Sequence, residues 1–519
     1  MKLGKKIFAA GLVAASAFSL ASCQTTQSSD LTIFLFQEDV KYNENMLVYK
    51  KANEYAGVNL TGAIGKYVSN LEQEFNLSGK YASVVVYDQD SIEAAALKEK
   101  IYLDLTDLIN EHAPNLKAYF DANPTQKQWA TASDGAIYGI PFYTEGETAK
   151  AWFVRQDWVN TLADNKKLPA GVTKDNLDAL TVEQYEALLQ AFKDNQKLLT
   201  KSTYIYPYFD RDSDFAISEL ASLWGATADF YIDNGTVKFG ATQPEFKVAL
   251  ENMIRWYKNG IIHPDILNES TEDLRATLFA ANSGGSTHDW LGTTYSFNDE
   301  CYAANMVDDF ELVCIAPPTR FAGTEKADKY EVTTRKLIGK VTAISNAVSD
   351  EDAIKLVKWI DFFFSKEGQD LSNFGELNTH YTKSGDTYEF TNKIINDNAT
   401  ALANLYQLGC QLQSAGVQNF AYEEAWLSED ASAAMSKYTE YLNPNYNDLI
   451  YPNIKMSQAD YEKVLGYKNQ IDYQYDQWIS DFLKGNKTLN DSTWAEFCNV
   501  LNTNSGATKA CEIYQNYVK

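Results

Sequence analysis

The chain is poor in the residues on which many metal and hydrolase sites depend. It has 4 histidines and 6 cysteines among 519 residues, and their positions show no metal-ligand spacing. The Gly-x-Ser-x-Gly pattern of serine hydrolases is also absent. These absences disfavour metal-dependent and serine-dependent hydrolysis, and the sequence predicts neither a bound metal nor a cofactor.

Positive charge and long apolar runs are also scarce. There are 45 lysines and arginines against 70 aspartates and glutamates, so the formal net charge is −25. A surface this negative repels nucleic acid and anionic lipid head groups. Beyond the amino terminus, no apolar run reaches the roughly 18 residues that suggest a membrane span. A hydrophobic content of 45% with 22% charged residues is typical of a soluble globular protein.

The amino terminus carries the one pattern that concerns membranes. Three lysines precede a short apolar run, residues 7–22, which ends in Leu20-Ala21-Ser22-Cys23. This pattern resembles a bacterial lipoprotein signal. The resemblance implies removal of residues 1–22, a lipid on Cys23, and a flexible tether over residues 23–30. The chain would then be anchored on the outer face of the cytoplasmic membrane, at the cell surface of a monoderm or in the periplasm of a diderm. A plain signal peptide with an unrelated cysteine is the alternative.

Five further cysteines leave the pairing open. Cys301 could pair with Cys314, and Cys498 with Cys511, while Cys410 would remain unpaired. Free thiols are equally compatible with this odd number.

Strand-like and helical patterns alternate along the first part of the chain. Short β-rich runs lie at residues 31–36, 84–87, 137–142 and 152–155, with amphipathic patterns between them. This order predicts parallel sheets covered by helices. From residue 392 onward the pattern is mostly helical. The 33 tyrosines and 10 tryptophans supply flat apolar faces that suit sugar rings.

The order of these elements resembles the extracellular solute-binding proteins of ABC importers, in the larger lipoprotein branch of the maltose-binding type. The resemblance is carried by Ser-Asp-Gly-Ala-Ile-Tyr-Gly-Ile-Pro at 133–141, Val-Arg-Gln-Asp-Trp at 154–158, the helix end at 256–264, and the tail from Trp478 to Tyr517. It implies a two-lobed α/β Venus-flytrap fold of the type II periplasmic-binding-protein class. Each lobe would hold a mixed, mostly parallel sheet flanked by helices, and the C-terminal part would be helical.

The resemblance also implies how the chain divides. The N-terminal lobe would take residues 31–143 plus 316–365, and the C-terminal lobe residues 146–312 plus 370–519. The ligand would lie in the cleft between them. The implied partners are an oligosaccharide and the permease subunits of an ABC importer, with the protein itself a monomer.

Some candidate ligand-binding residues follow the ends of predicted strands, where open α/β sheets bind ligands. Glu145 and Trp152 lie near the first predicted crossing between the lobes. For Tyr208, Asp210 and Trp290 the role is what the resemblance implies, because relatives carry sugar-stacking aromatic residues at those places. Carboxylates there can accept hydrogen bonds from sugar hydroxyls, and aromatic rings can stack on sugars. The predicted ligand-binding residues are Glu38, Tyr87, Asp88, Asp90, Glu145, Trp152, Arg155, Tyr208, Asp210, His288, Asp289 and Trp290. Core packing is the alternative for Trp152, and pairing with Asp157 is the alternative for Arg155.

Large relatives of this type carry a calcium loop that the present chain does not match. At the corresponding place, residues 194–201 read Asp-Asn-Gln-Lys-Leu-Leu-Thr-Lys. The stretch lacks alternating oxygen ligands and contains two lysines, so we expect no calcium there.

The sequence therefore predicts a lipid-anchored protein that captures an oligosaccharide without altering it. A receptor for a peptide or another solute is one alternative, with Arg155 as the candidate anchor for a ligand terminus. A lipid-anchored glycoside hydrolase is a less favoured alternative, because 70 acidic residues produce carboxylate pairs by chance.

Overall fold

The structure is a computed structural model, and it describes most of the chain from Leu31 onward. The described residues are 31–35, 40, 42–62, 81–144, 150–210, 216–267, 274–298, 309–319, 338–396, 400–438, 441 and 456–518. The predictions for Cys23, Glu38 and Glu145, and for the side chain of Asp90, lie outside them.

Thirteen strands and twenty α-helices are described in this part of the chain. The strands are β1 (Thr32–Leu35), β2 (Thr61–Gly62), β3 (Val84–Tyr87), β4 (Ile140–Thr144), β5 (Lys150–Arg155), β6 (Phe230–Asp233), β7 (Thr236–Phe239), β8 (Ser286–Trp290), β9 (Leu312–Ile315), β10 (Ile338–Ile344), β11 (Tyr381–Ser384), β12 (Thr387–Phe390) and β13 (Gly416–Gln418). The helices up to residue 295 are α1 (Leu47–Ala56), α2 (Gln89–Glu99), α3 (Thr106–His112), α4 (Pro114–Ala122), α5 (Pro124–Ala130), α6 (Gln156–Asp164), α7 (Val182–Asp194), α8 (Gln196–Leu199), α9 (Ala216–Ala221), α10 (Pro244–Lys258), α11 (Leu274–Ala280) and α12 (Leu291–Tyr295). The later helices are α13 (Asp350–Phe362), α14 (Lys366–Phe374), α15 (Ala401–Leu408), α16 (Ala421–Glu424), α17 (Glu429–Tyr438), α18 (Gln458–Leu483), α19 (Asp491–Asn499) and α20 (Ala507–Gln515).

The first lobe is built on a six-stranded sheet in the order β13-β4-β10-β3-β1-β2. Only β10 runs antiparallel to its neighbours, β3 and β4. The other pairings in this sheet are parallel. The carboxyl ends of the parallel strands therefore meet along one side of the sheet. We call this side the first edge, and it carries Leu35, Tyr87, Thr144 and Gln418.

The second lobe contains a three-stranded sheet in the order β8-β5-β9, with β5 antiparallel to both neighbours. The chain around residues 206–209 runs parallel alongside β8, because Phe209 forms a bridge to Thr287. Lys150 at the start of β5 lies directly opposite Trp290 at the end of β8. We call this end of the sheet the second edge, and it carries Lys150, Asp210 and Trp290.

Each lobe has its own hydrophobic core. The first core surrounds Tyr49 and Trp359, whose rings stack with centroids 6.0 Å apart. The second lobe packs both faces of its sheet, one around Trp152, Tyr185 and Trp256 and the other around Phe153. The two-lobed α/β fold predicted from the sequence is therefore the one observed.

Two segments pack on a different lobe from the one predicted. Residues 370–422 were assigned to the second lobe, but β13 pairs with β4, and Phe374, Leu405 and Cys410 are buried in the first core. Residues 316–319 were assigned to the first lobe, but the backbone of Thr319 pairs with that of Thr181 in the second lobe.

This packing moves the third crossing between the lobes. Tyr422 is buried in the first core, whereas Leu427 packs against the second lobe and α17 is buried there. The crossing therefore lies near residues 422–428, not at 365–370. The sequence alone could not place it, because a helical pattern does not reveal which sheet a helix covers.

Two further structural findings bear on the sequence predictions. Among the described residues, no helix is long and apolar enough to cross a membrane. Cys314, Cys410, Cys498 and Cys511 are free thiols, so the suggested bridge between Cys498 and Cys511 is absent. Cys301 lies outside the described residues.

Candidate functional site

The topology brings the two edges towards each other at the crossings. Thr144 ends a strand at the first edge, and Lys150 begins one at the second edge. The five intervening residues allow a span of at most roughly 20 Å. The third crossing, near residues 422–428, follows a few residues after Gln418 at the first edge. The candidate site is the region between these edges, where open α/β sheets bind ligands.

A buried ion-pair network lies behind the second edge. The Lys150 ammonium is 2.7 Å from Glu219 Oε1, and His288 Nδ1 is 2.9 Å from Glu219 Oε2. Glu219 comes from α9, whereas Lys150 and His288 lie on neighbouring strands, so three elements converge on one carboxylate. We call Lys150, Asp210, Glu219, His288 and Asp289 the edge cluster, and each of these residues is less than 7% exposed.

Arg275 holds the second carboxylate of the edge cluster. Its Nε lies 3.1 Å from Asp289 Oδ2, and its Nη1 donates to Thr294 Oγ1 at 2.8 Å. The other oxygen of Asp289, Oδ1, accepts from the backbone N–H of Trp290 at 2.6 Å. This carboxylate therefore fixes the backbone at the base of the Trp290 side chain.

Three acidic and three basic side chains meet at this end of the sheet. Asp210, Glu219 and Asp289 lie among Lys150, Arg275 and His288. Burial, and then the neighbouring Glu219, raise the pKa of Asp210 to about 8. Burial also opposes ionisation of Glu219, but Lys150 and His288 outweigh it and lower the pKa of this carboxyl. The network thus keeps Glu219 ionised, whereas Asp210 binds a proton up to near-neutral pH.

Trp290 is the aromatic side chain that the second edge presents. Its side chain is half-buried, and the Lys150 ammonium lies 5.7 Å from the ring centroid. Trp426, in the third crossing, lies close to the segment that follows Trp290. Its ring is 3.2 Å from the position that a Cβ on Gly292 would take. Trp426 is also half-buried. Partly exposed tryptophans at such an edge can stack on sugar rings.

The first edge carries polar side chains whose roles are partly structural. Tyr87 is half-buried, with its ring centroid 6.3 Å from that of Phe34. Asp88 is exposed, and its Oδ1 caps helix α2 by accepting from the backbone N–H and hydroxyl of Ser91, both at 3.0 Å. Gln418 is buried and donates to Gln411 Oε1 at 2.7 Å. The ligand contacts predicted for Tyr87 and Asp88 remain predictions.

The stacking role predicted for Tyr208 does not fit its position. Tyr208 is 0% exposed, and Trp152, at 1%, packs against it with ring centroids 6.1 Å apart. Trp152 also packs on His288 at 4.5 Å. Both rings belong to the second core, so neither presents a face to a sugar in this structure. Core packing, the alternative reading of Trp152, is what the structure shows.

Asp210, His288 and Asp289 do gather at the predicted place, but beneath the surface. They are 3%, 0% and 1% exposed. In this conformation they lie behind Trp290, where they set the local charge.

Arg155 is a structural residue at the opposite end of β5. Its Nε and Nη2 donate to the two carboxylate oxygens of Asp157 at 2.8 and 2.6 Å. Nη2 also reaches Asn282 Oδ1 at 2.7 Å, and the guanidinium lies 4.5 Å from the Trp158 ring centroid. Arg155 is 0% exposed, so the structure favours the alternative, pairing with Asp157, and the contact with a ligand stays a prediction.

The residues at the place where large relatives carry a calcium loop have side chains engaged within the protein. Asp194 accepts from Gln190 Nε2 at 2.8 Å, and the Asn195 amide donates to the Ala191 carbonyl at 2.8 Å. The next residues form the short helix α8, and the Lys193 ammonium donates to the carbonyl of Asn259. Across the described parts of the chain, no group of three or more His, Cys, Asp or Glu is placed to hold a metal ion.

Sequence reasoning missed several members of this region. Lys150, Glu219 and Arg275 organise the edge cluster, and Trp426 comes with the third crossing. Lys150 and Glu219 are 69 residues apart in the chain, and no local pattern links them. The one usable signal was that Lys150 lies two residues before the predicted strand at 152–155.

Comparison with known proteins agrees with this architecture. The fructooligosaccharide ABC transporter substrate-binding protein FusA of Streptococcus pneumoniae is 22% identical over 428 residues, 77% of this chain and 72% of that protein. The chain is a homologue of ABC-transporter substrate-binding proteins. It matches no protein-family model.

Solved structures of such binding proteins share the fold over nearly the whole chain. The alginate-binding protein AlgQ2, solved without calcium ion, superposes with a TM-score of 0.78 and 26% identity, covering 95% of this chain and 98% of that one. A solute-binding protein from Bifidobacterium longum infantis, described as HMO-binding and ABC-transporter-associated, gives 0.70 and 16%, covering 94% and 97%. At that identity the likeness concerns the fold alone.

Proposed function

We propose that this substrate-binding protein captures an oligosaccharide between the first and second edges and delivers it to an ABC importer. The observation that carries the proposal is Trp290, a half-buried aromatic side chain at the end of β8. The proposal is further supported by the edge cluster behind Trp290. It is also supported by relatives that are named for binding fructooligosaccharide and alginate.

The mechanism is capture by closure. The two edges belong to separate lobes, so a ligand touches both only when the lobes approach. A ligand that makes more contacts in the closed form shifts the equilibrium towards that form. The importer's permease subunits would then recognise the closed protein. No step in this mechanism makes or breaks a covalent bond, in keeping with relatives that are binding proteins.

We further infer that a lipid on Cys23 holds the protein, as a monomer, at the outer face of the cytoplasmic membrane. Substrate-binding proteins of ABC transporters act outside the cytoplasm, and the motif ending in Cys23 supports the anchor. Labelling cells with an alkyne fatty acid should mark the wild-type protein and leave Cys23→Ser unmarked. A marked variant, or release of the unvaried protein into the medium, would contradict the anchor.

Calorimetric titration tests the proposed site. We expect a neutral oligosaccharide such as kestose, or one of the trisaccharides described below, to bind the wild-type protein and to bind Trp290→Ala at least tenfold more weakly, a loss of about 1.4 kcal/mol. The matched control is Trp494→Ala, since Trp494 is also half-buried but lies on α19, in the C-terminal helical part. It should bind like the wild type.

Two outcomes would contradict the proposal. Unchanged affinity of Trp290→Ala would remove the residue on which it rests. Cleaved product after incubation, detected by chromatography, would indicate a hydrolase instead. The peptide-receptor alternative has lost its anchor, because the hydrogen bonds of Arg155 are made within the protein.

A further inference from the structure

We infer that the site selects uncharged oligosaccharides and rejects sugars that carry carboxylate groups, such as uronates. This inference rests on the proposed function and specifies its substrate class. The fold does not decide the question, because relatives named for alginate and for fructooligosaccharide share it. The charges at the two edges decide which sugars fit.

The two cations described at the second edge, Lys150 and Arg275, are already engaged by carboxylates. Lys150 is held by Glu219 at 2.7 Å, and Arg275 by Asp289 at 3.1 Å. Either cation could bind a ligand carboxylate only by releasing a buried carboxylate partner, which is strongly unfavourable. Among the described residues of the first edge, Tyr87, Thr144 and Gln418 are uncharged and Asp88 is acidic.

A buried hydroxyl near the edge cluster shows which charges surround this end of the sheet. Tyr208 is 0% exposed, and its Oη has no hydrogen-bond partner within the described structure. The charged groups acting on this hydroxyl are Asp210, Glu219 and Asp289, all of them acids. An added anion would meet the repulsion of these carboxylates.

Asp210 shows how this environment treats one more carboxylate. Burial and the neighbouring Glu219 raise its pKa to about 8, even though Lys150 and His288 lie nearby and favour ionisation. A uronate carboxylate placed at this edge would be repelled by the same acidic neighbours, Glu219 and Asp289. The net charge of −25 adds a long-range repulsion that salt screens.

Matched pairs of trisaccharides test the inference. Each pair differs only by oxidation at C6: mannotriose with trimannuronic acid, and galactotriose with trigalacturonic acid. Titration calorimetry of the purified protein at pH 7.5 should give a dissociation constant at least tenfold lower for the neutral member of any pair that binds. Equal or tighter binding of the acid would overturn the inference and leave the proposed function standing. Failure of kestose and of every member of both pairs to bind would overturn both.

A charge variant separates the edge cluster from the general surface charge. Asp210→Asn keeps the shape of the side chain and removes its charge, so the preference for the neutral sugar should fall at least threefold at pH 9. The groups that face Asp210 are Lys150, Tyr208, Glu219, His288 and Asp289. Glu111→Gln removes one exposed charge from α3, on the first lobe, and should keep the wild-type preference. Equal effects of the two variants would assign the preference to net charge and overturn the role of the edge cluster.

Discussion

Strand β5 carries a buried cation at each end, and the two ends differ. Arg155 pairs with one carboxylate, that of Asp157, through two hydrogen bonds, and packs against Trp158. Lys150, five residues earlier and about 17 Å away along the strand, lies close to three acidic groups, those of Asp210, Glu219 and Asp289. One end is a single closed ion pair, whereas the other gathers several acids beside a half-buried tryptophan.

This difference separates a structural ion pair from a site. Both cations are buried, so burial alone does not distinguish them. At the Arg155 end, the guanidinium and the Asp157 carboxylate satisfy each other. At the Lys150 end, burial and then the neighbouring Glu219 raise the pKa of Asp210, so the cations nearby do not keep this acid ionised at neutral pH. Perturbed carboxyl groups of this kind concentrate at functional sites.

The largest expected effect is on stability at the Arg155 end. Arg155→Met should lower the free energy of unfolding by about 3–5 kcal/mol, because it leaves the largely buried Asp157 carboxylate without its partner. Urea unfolding measures the loss. Sugar affinity should stay unchanged in the folded fraction. A weaker affinity in Arg155→Met, with no change in its control Asp157→Asn, would break the comparison by placing Arg155 in the site.

At the Lys150 end of β5, we expect a smaller loss of stability together with weaker sugar binding. Lys150→Met should lower stability by about 2–4 kcal/mol, since Glu219 and Asp210 lose their nearest cation. It should also weaken sugar binding, because Lys150 contacts the Trp290 ring. Lys150→Arg keeps the charge and should recover part of both properties. If Lys150→Met bound sugar with wild-type affinity, Lys150 would have only a structural role, like Arg155 at the opposite end of β5.

The pH dependence of stability gives a third test. The pKa of Asp210 is raised from 3.8 to about 8, so the folded protein binds this proton more tightly than the unfolded chain does. The resulting stabilisation is complete below about pH 4 and is lost as the pH rises through about 8. Between pH 5 and pH 9, wild-type stability should therefore fall by about 1 kcal/mol or more relative to Asp210→Asn. Parallel pH profiles of the two proteins would show that Asp210 is not perturbed.

The smallest effect concerns Asp88 at the first edge. Asp88→Ala should cost about 1 kcal/mol through loss of the helix cap on α2, whereas Asp88→Asn should keep the cap and the stability. Thermal unfolding distinguishes these variants. Calorimetry of Asp88→Asn then separates the two roles of the residue. Weaker sugar binding without a change in stability would show that the carboxylate also binds ligand.

Much of the local structure followed from the sequence. The β-branched run at 84–86 predicted strand β3, and the Thr181 and Gln184 capping box predicted the start of α7. The resemblance to relatives singled out Trp290, which the structure places at the end of β8. These features depend on neighbours within a few residues, so a single sequence carries them.

The site was harder to predict because its contacts are non-local. Tyr208 and Arg155 occur in motifs that suggest binding, but they face the second core and the Asp157 carboxylate instead. Glu219 was not singled out, although it joins Lys150 to His288. A motif specifies the type of residue, whereas only packing decides which partner it meets.

The sequence by itself determined the acidic charge, the order of strands and helices, and the family resemblance, because composition, periodicity and capping are short-range properties. The tertiary structure alone decided that β13 joins the first sheet and that the third crossing lies near residues 422–428. It also decided which buried charges are neutralised, since Lys150 and Glu219 meet across 69 residues of chain. Burial against distant elements sets these outcomes, and no local pattern encodes it.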